Sequence, residues 1–209
     1  MTAIEQRERL SAADWDTWWS AGKEPGVITD VEQRKFLTRV RPKATLTAVD
    51  VCCGNGRWTR QLARWGMNVI GFDFSRAAIT EARRGWHNPR LRYELWDADA
   101  DAIPRTLKPG SVDMVTVRLG LAYLDRQRFL VDVARWLRPD SGVMYAISDV
   151  VYCDDQEQDP FQRGLTEEQL ASLGYGWASC ERYSVGPRTA LVLRGPGGLL
   201  ADAISPPAP

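Results

Sequence analysis

Thr47-Ala48-Val49-Asp50-Val51-Cys52-Cys53-Gly54-Asn55-Gly56-Arg57-Trp58 is the stretch whose reading decides the fold. Apolar residues run into an acidic one, two glycines follow at a spacing that lets backbone approach a ligand, and a helical pattern begins. This is a strand, a tight loop and a helix N-terminus. Unpaired N–H groups and the positive end of a helix dipole there receive something small and polar.

Downstream the pattern alternates. A first strand over 46–52 is followed by a helix over 57–65, a strand over 68–73, and a helix opened by Ser75 as N-cap and ending near Arg84. Strands over 91–96, 111–118 and 142–148 follow. Asp125 caps a helix whose buried stripe is Leu130, Val133, Ala134 and Leu137. Connections this short leave parallel strands with right-handed crossovers. Thr166-Glu167-Glu168-Gln169 has the form of a capping box. Residues 177–185, the turn Gly186-Pro187 and residues 190–193 then read as a hairpin, so at least one late strand is antiparallel.

Upstream of the glycine loop the chain reads as helical. Trp15, Trp18 and Trp19 recur at the spacing of one helix face, and Thr29-Asp30-Val31-Glu32 reads as a capping box opening a second helix that Pro42 ends. The tryptophans dock their helix on the domain, form an aromatic lid over a pocket, or do both. The expected division is an N-terminal helical extension or lid over 1–44, a main domain over 45–195 and a loosely ordered Gly/Pro-rich tail over 196–209.

The chain has 209 residues, enough for one domain with a sizeable core. Its 44% hydrophobic and 26% charged residues are those of a soluble globular protein, and a net charge of zero argues against a broad footprint for nucleic acid or an anionic membrane. Residues 1–10 are charged and polar, and no apolar run is long enough to span a bilayer; the expectation is a cytoplasmic protein. The four cysteines, Cys52, Cys53, Cys153 and Cys180, contain no C-x-x-C pair and meet a single histidine, His87, so no metal site is expected. Cys52 and Cys53 are read as packing residues, and His87 as a solvated loop residue.

Ligands of an open α/β sheet bind at the carboxyl ends of the strands, where strand order reverses. That rule gathers Asp50, Cys52, Gly54 and Gly56 after the first strand, Asp73 and Phe74 after the second, Asp97 and Ala98 after the third, and Arg118 after the fourth. Asp73 lies about 20 residues beyond the glycines, where a carboxylate accepts from ribose hydroxyls or caps the following helix. Asp97 shares a polar turn with Asp99 and Asp101 and meets either a ligand or solvent. A dinucleotide fits poorly. Thr59 stands where the G-x-G-x-x-G fingerprint has its third glycine, Trp58 is bulky beside it, and Asp50 places negative charge where a diphosphate would lie. A carboxylate there suits an amino group or a sulfonium.

At these residues the chain resembles the class I S-adenosylmethionine-dependent methyltransferases, over about residues 45–195. Val49-Asp50-Val51-Cys52-Cys53-Gly54-Asn55-Gly56 is similar to the family's first motif, Gly71-Phe72-Asp73-Phe74-Ser75 to its ribose-binding segment, and Trp96-Asp97-Ala98 to its adenine-binding segment. Ser111-Val112-Asp113-Met114-Val115 resembles the fourth-strand motif, and Trp136-Leu137-Arg138-Pro139-Asp140-Ser141-Gly142 the turn before the fifth strand. The resemblance implies a Rossmann-like α/β fold: a seven-stranded, mostly parallel sheet in the order 3-2-1-4-5-7-6 with strand 7 antiparallel. It implies S-adenosyl-L-methionine as cofactor, with Gly54 and Gly56 at its methionine part and Asp50 at its amino group. Asp73 would sit on the ribose, Asp97, Ala98 and Phe74 around the adenine, and Arg118 near the methionine end. Cys52 stands where the family has its first glycine, so the backbone there is expected to manage without positive φ or to shift the cofactor. The missing Asn/Asp-Pro-Pro-Tyr after the fourth strand speaks against the amino-methyltransferases of nucleobases and glutamine amides.

No general base stands out; Tyr123 and Asp125 are the nearest candidates, and catalytic residues stay unassigned. The segments outside the common core are short, which points to a small-molecule methyl acceptor, with Trp15, Trp19 and Tyr123 as candidate pocket residues and neither nucleic acid nor membrane as a partner. Two other readings stand beside this one: a non-catalytic module that binds S-adenosylmethionine or S-adenosylhomocysteine, and a nicotinamide-dependent oxidoreductase.

Overall fold

The computed structural model describes residues 9–152 and 159–196. The alternation read from the chain is realised as β1 (Thr47–Val51), α3 (Arg57–Arg64), β2 (Asn68–Asp73), α4 (Arg76–Arg84), β3 (Leu91–Leu95), β4 (Met114–Arg118), α5 (Arg126–Trp136) and β5 (Val143–Val151). Before it come α1 (Ala12–Ser20) and α2 (Asp30–Val40); after it come β6 (Leu165–Thr166), α6 (Glu167–Ser172), β7 (Trp177–Val185) and β8 (Arg188–Pro196). The sheet runs β3-β2-β1-β4-β5-β8-β7, parallel through β5, with β8 antiparallel to both of its neighbours. This is the expected seven-strand order, β7 and β8 taking the sixth and seventh places. One strand was not anticipated. β6 adds two residues alongside the end of β5, pairing Val150 with Leu165 and Val151 with Thr166, and it extends β5 beyond its expected end.

Period-two alternation explains both core layers. Val49, Val51, Val115, Val117, Met144 and Leu191 point to one side, where α5 contributes Phe129, Val133 and Trp136. Ala48, Met114, Tyr145, Ile147 and Val192 point to the other, where α2 and α3 contribute Phe36, Val40, Trp58 and Leu62. Asp50, Thr116 and Arg118 share the second face by the same alternation. The strand rule alone therefore aims these polar side chains at α2 and α3.

The caps follow the chain's signals. Ser75, Asp125 and Thr166 each accept a backbone N–H of the first helical turn, and Thr166 with Gln169 closes a full capping box. At α2 the box is half built. Thr29 accepts the Glu32 N–H at 3.1 Å, but the Glu32 carboxylate goes to Arg118 instead. The complete N-terminal box is at α1, between Ser11 and Asp14. α2 ends on Arg41 at φ 52°, ahead of Pro42. β8 reaches Pro196, one residue into the expected tail; residues 197–209, residues 1–8 and Cys153 lie outside the described residues. His87 is exposed, as read. Among the described residues no helix is long and apolar enough to cross a membrane.

Candidate functional site

β1 and β4 are neighbours at the point where strand order reverses, and a cavity of about 1820 Å³ opens there. Pockets for one small ligand run to about 1,000 Å³, so this one has room for two molecules side by side. Its walls include all the expected ligand residues except Gly56: Asp50, Cys52, Gly54, Asp73, Phe74, Asp97, Ala98 and Arg118. Trp15, Trp19 and Tyr123 line it as well.

Gly56 is a correction. It takes φ 76° as N-cap of α3, and a Cβ on it would run into the Tyr93 ring, whose hydroxyl donates to the Gly56 carbonyl at 3.2 Å. Its place is the turn, not the cavity wall. Gly54, at φ 54°, does face the cavity, and a Cβ there would lie 2.6 Å from the Trp19 ring. With no side chain capping it, the first turn of α3 leaves backbone N–H groups beside the loop.

Asp50 is 1% exposed; its two oxygens accept from Thr59 Oγ1 at 2.6 Å and Thr116 Oγ1 at 2.7 Å. Asp73, 8% exposed, accepts the Gly54 N–H at 2.8 Å and the Ser75 N–H at 2.9 Å. It thus braces the glycine loop against the start of α4. Burial outweighs these bonds and raises each carboxyl from 3.8 to about 6. Asp97 accepts from Arg9, Asp99 and Ala100, all on Oδ1; among the described residues no bond falls on Oδ2.

Arg118 is placed differently from the expectation. Its side chain is 8% exposed and forms a two-pronged ion pair with Glu32, Nε to Oε1 at 2.8 Å and Nη2 to Oε2 at 3.1 Å, while Nη2 also donates to the Val27 carbonyl at 2.9 Å. It borders the cavity but fastens the N-terminal extension to β4.

Cys52 corrects a second expectation. It adopts φ 56° despite its side chain, and Leu119 across the cavity edge sits at φ 60°. Left-handed backbone at such residues is uncommon outside functional loops. Space for the thiol comes from Gly120: a Cβ there would lie 2.6 Å from Cys52 Cβ and 2.8 Å from its Sγ. Burial pushes both the Cys52 and Cys53 thiols up, away from thiolate and redox chemistry. Gly120→Ala is therefore expected to cost about 1–3 kcal/mol by overpacking. Cys52→Gly combined with it should recover most of that loss, with urea denaturation of the three variants as the measurement.

The far end of the cavity is aromatic. Trp15 meets Tyr123 edge-on with ring centroids at 5.1 Å and Phe161 likewise at 5.1 Å, and Trp18 stacks on Phe161 at 5.8 Å. The Tyr123 hydroxyl accepts the Arg163 N–H at 3.0 Å, and burial pushes its phenol up to about 12, so it is no base near neutral pH. The helix of tryptophans both docks and lines: Trp18 is 4% exposed, while Trp15 and Trp19 reach the cavity.

Sequence reasoning missed Arg9, Asp16, Glu24 and Glu32, which make polar contacts between the extension and the residues around the cavity, and also Phe161. Arg9 pairs with Asp97 at 2.5 Å and lies 5.8 Å from the Phe74 ring centre; Glu24 pairs with Arg57 at 2.5 Å. Only Glu32 left a signal, the failed half of its capping box. Among the described residues no three His, Cys, Asp or Glu side chains gather as a metal would need.

This fold, with a ligand cavity at the carboxyl ends of β1, β2 and β4, defines a Rossmann-like class, and comparison with known proteins says which one. Residues 48–140 match the family described as "Methyltransferase domain". The match supports a class I S-adenosylmethionine-dependent methyltransferase, with S-adenosylmethionine as its cofactor. It is 32% identical over 115 residues to a demethylmenaquinone methyltransferase of Lactobacillus johnsonii, covering 53% of this chain and 47% of that protein. It is 29% identical to a 2-phytyl-1,4-naphtoquinone methyltransferase of Thermosynechococcus vestitus, covering 72% and 71%. The chain spans about half the length of the curated relatives it matches, the Thermosynechococcus protein excepted. In fold it is similar to the methyltransferase seen in complex with the Haloferax volcanii Trm112 methyltransferase activator, with a TM-score of 0.70, 20% identity, and 88% and 98% of the two chains covered. The residues present suit the cofactor. Asp73 and Asp97 offer carboxylate oxygens at the ends of β2 and β3, buried carboxylates face a ligand that brings positive charge, and Gly54 adds no side chain to a wall it shares with the Trp19 ring.

Proposed function

We propose that this protein transfers a methyl group from S-adenosylmethionine to a small aromatic acceptor of phenol or hydroquinone type. The observation that carries the proposal is one cavity with two unlike ends. The carboxylate and glycine end, Asp50, Gly54, Asp73 and Asp97, is continuous with an aromatic end, Trp15, Tyr123 and Phe161, with Leu130 and Leu173 beyond. The relatives named for quinone methylation support an acceptor with such a ring.

When bound, the cofactor supplies an electrophilic methyl group on a sulfonium. The chain's own residues do the rest. Asp73 would accept from the ribose hydroxyls while its bonds to Gly54 and Ser75 hold it in place. Gly54 would let the backbone lie against the methionine part. Asp50 would supply negative charge near the amino group. Trp15, Tyr123 and Phe161 would orient the ring and exclude water, a positioning effect worth on the order of 7 to 11 kcal/mol when two reactants are held in near-attack geometry. Among the described residues we assign no general base, which suits an acceptor ionised before it binds or attacked at an electron-rich ring carbon. The division into an extension or lid through residue 44 and a methyltransferase domain over 45–195 belongs to the same reading, with α1 as the cover of the aromatic end.

Transfer of labelled methyl groups to a panel of phenols, hydroquinones and naphthoquinols tests this reading. Faster transfer to RNA or protein would overturn the choice of acceptor. The absence of a base also supports a second reading, a module that holds the cofactor without turnover. Tight S-adenosylhomocysteine binding with no transfer to any acceptor would select it. In either case Asp73→Ala is expected to weaken S-adenosylhomocysteine binding by about 2 kcal/mol, roughly thirtyfold, because it deletes charge-assisted hydrogen bonds; calorimetry checks it.

A further inference from the structure

The polar bonds between α1 and the rest of the chain, among the described residues, both end on one side chain, Asp16. Its Oδ1 accepts from Ser75 Oγ at 2.6 Å and from the Ala77 N–H at 3.0 Å, in the open first turn of α4. Ser75 in turn donates its backbone N–H to Asp73 Oδ1 at 2.9 Å, and Asp73 Oδ2 takes the Gly54 N–H at 2.8 Å. A single hydrogen-bonded chain thus runs from α1 through the carboxylate at the end of β2 to the glycine loop. The same helix places Trp19 against Gly54 and Trp15 against Tyr123 and Phe161.

We infer that Asp16 is a positioning residue: by holding Ser75 and the first turn of α4, it fixes the rotamer of Asp73 and ties retention of the cofactor to the docking of α1 over the cavity. The physical basis is local. Ser75 is fully buried and has two hydroxyl duties, capping Ala78 as acceptor at 3.1 Å and donating to Asp16. Without the Asp16 acceptor the hydroxyl proton has no partner among the described residues, and the Ala77 N–H returns to solvent. The backbone of residues 73–77 is then free to loosen around the carboxylate that meets the ribose. An aspartate beside an N-terminal helical turn is also favoured by the helix dipole, so its charge strengthens the docking of α1. Asp16 touches no ligand itself; it acts through Ser75 and Asp73.

The inference rests on reading Asp73 as the ribose carboxylate, and the test separates the two. Asp16→Ala is expected to raise the dissociation constant and the off-rate of S-adenosylhomocysteine about tenfold, the effect of one hydrogen bond. It should raise KM for the cofactor by a similar factor while kcat at saturating cofactor stays within about twofold. Asp16→Asn keeps an acceptor oxygen and the shape of the site, and should restore most of the affinity. A residue that only anchors α1 would lower the melting temperature in both variants without this split or this rescue. If Asp73→Ala weakens binding and Asp16→Ala leaves affinity and off-rate unchanged, the inference is overturned. If Asp73→Ala leaves affinity unchanged, the reading of the cavity fails instead.

Discussion

Glu32→Ala is expected to lower the free energy of unfolding by about 3–5 kcal/mol, the cost of leaving one partner of a buried ion pair without the other. Glu32 is 1% exposed and Arg118 8%, so water does not replace the lost carboxylate. The backbone carbonyls of Gly26 and Val27 remain as acceptors but carry no full charge. Denaturant titration at neutral pH measures the loss. A double variant, Glu32→Leu with Arg118→Met, removes both charges and should regain most of the stability, since a buried pair is worth little more than the apolar groups that fill its volume. A loss below about 1 kcal/mol for Glu32→Ala would mean that the pair is solvated in solution and that the extension is not fastened there.

Asp50→Asn is expected to do the opposite: to stabilise the fold at pH 7.5 by about 2–3 kcal/mol and to weaken the cofactor. Burial raises the Asp50 carboxyl from 3.8 to about 6. Between those values the folded protein keeps a proton that the unfolded chain has released. Its stability therefore falls as pH rises from about 4 to 6 and levels off above, at a cost of about 3 kcal/mol for a shift of two units. Asparagine carries no such cost. The Thr59 and Thr116 hydroxyls rotate, so one donates to the amide oxygen while the other accepts from its NH₂. The variant should show a shallower fall between pH 4 and 6, the remainder coming from Asp73, whose carboxyl is raised to the same value. On the proposed placement of the cofactor, with Asp50 near its amino group, binding of S-adenosylhomocysteine in the wild type should tighten as pH rises through 6. An Asp50→Asn protein less stable than wild type at pH 7.5 would sink this account.

These two variants mark the line between what the chain shows and what it hides. The glycine loop, Asp73 and the final hairpin are local signals, fixed by backbone chemistry within a few residues. The strand order and the antiparallel hairpin are as expected, while Gly56 sits in the turn and Cys52 takes the conformation it was expected to avoid. The Cys52 outcome depends on Gly120, 68 positions later in the chain. No local rule connects the two, because the steric notch exists only after β1 and β4 pair. Arg118 lies at the cavity edge, and its guanidinium is paired with Glu32. Strand alternation put its side chain on the face that α2 covers, but which residue of α2 it would meet depends on the packing of Phe36 and Val40.

By itself the sequence determined the fold class of this protein: strand, helix and cap signals repeat in an order that only a doubly wound sheet accommodates, and Asp50, Asp73 and Asp97 fall at or near strand ends because that is where such chains turn. The tertiary structure decided how the extension closes the site. Arg9, Asp16, Glu24 and Glu32 are ordinary surface-type charges in the linear chain. They become contacts with Asp97, Ser75, Arg57 and Arg118 only when the 33 to 88 positions that separate each pair have folded, since ion pairs and hydrogen bonds between distant positions carry no periodicity to be read.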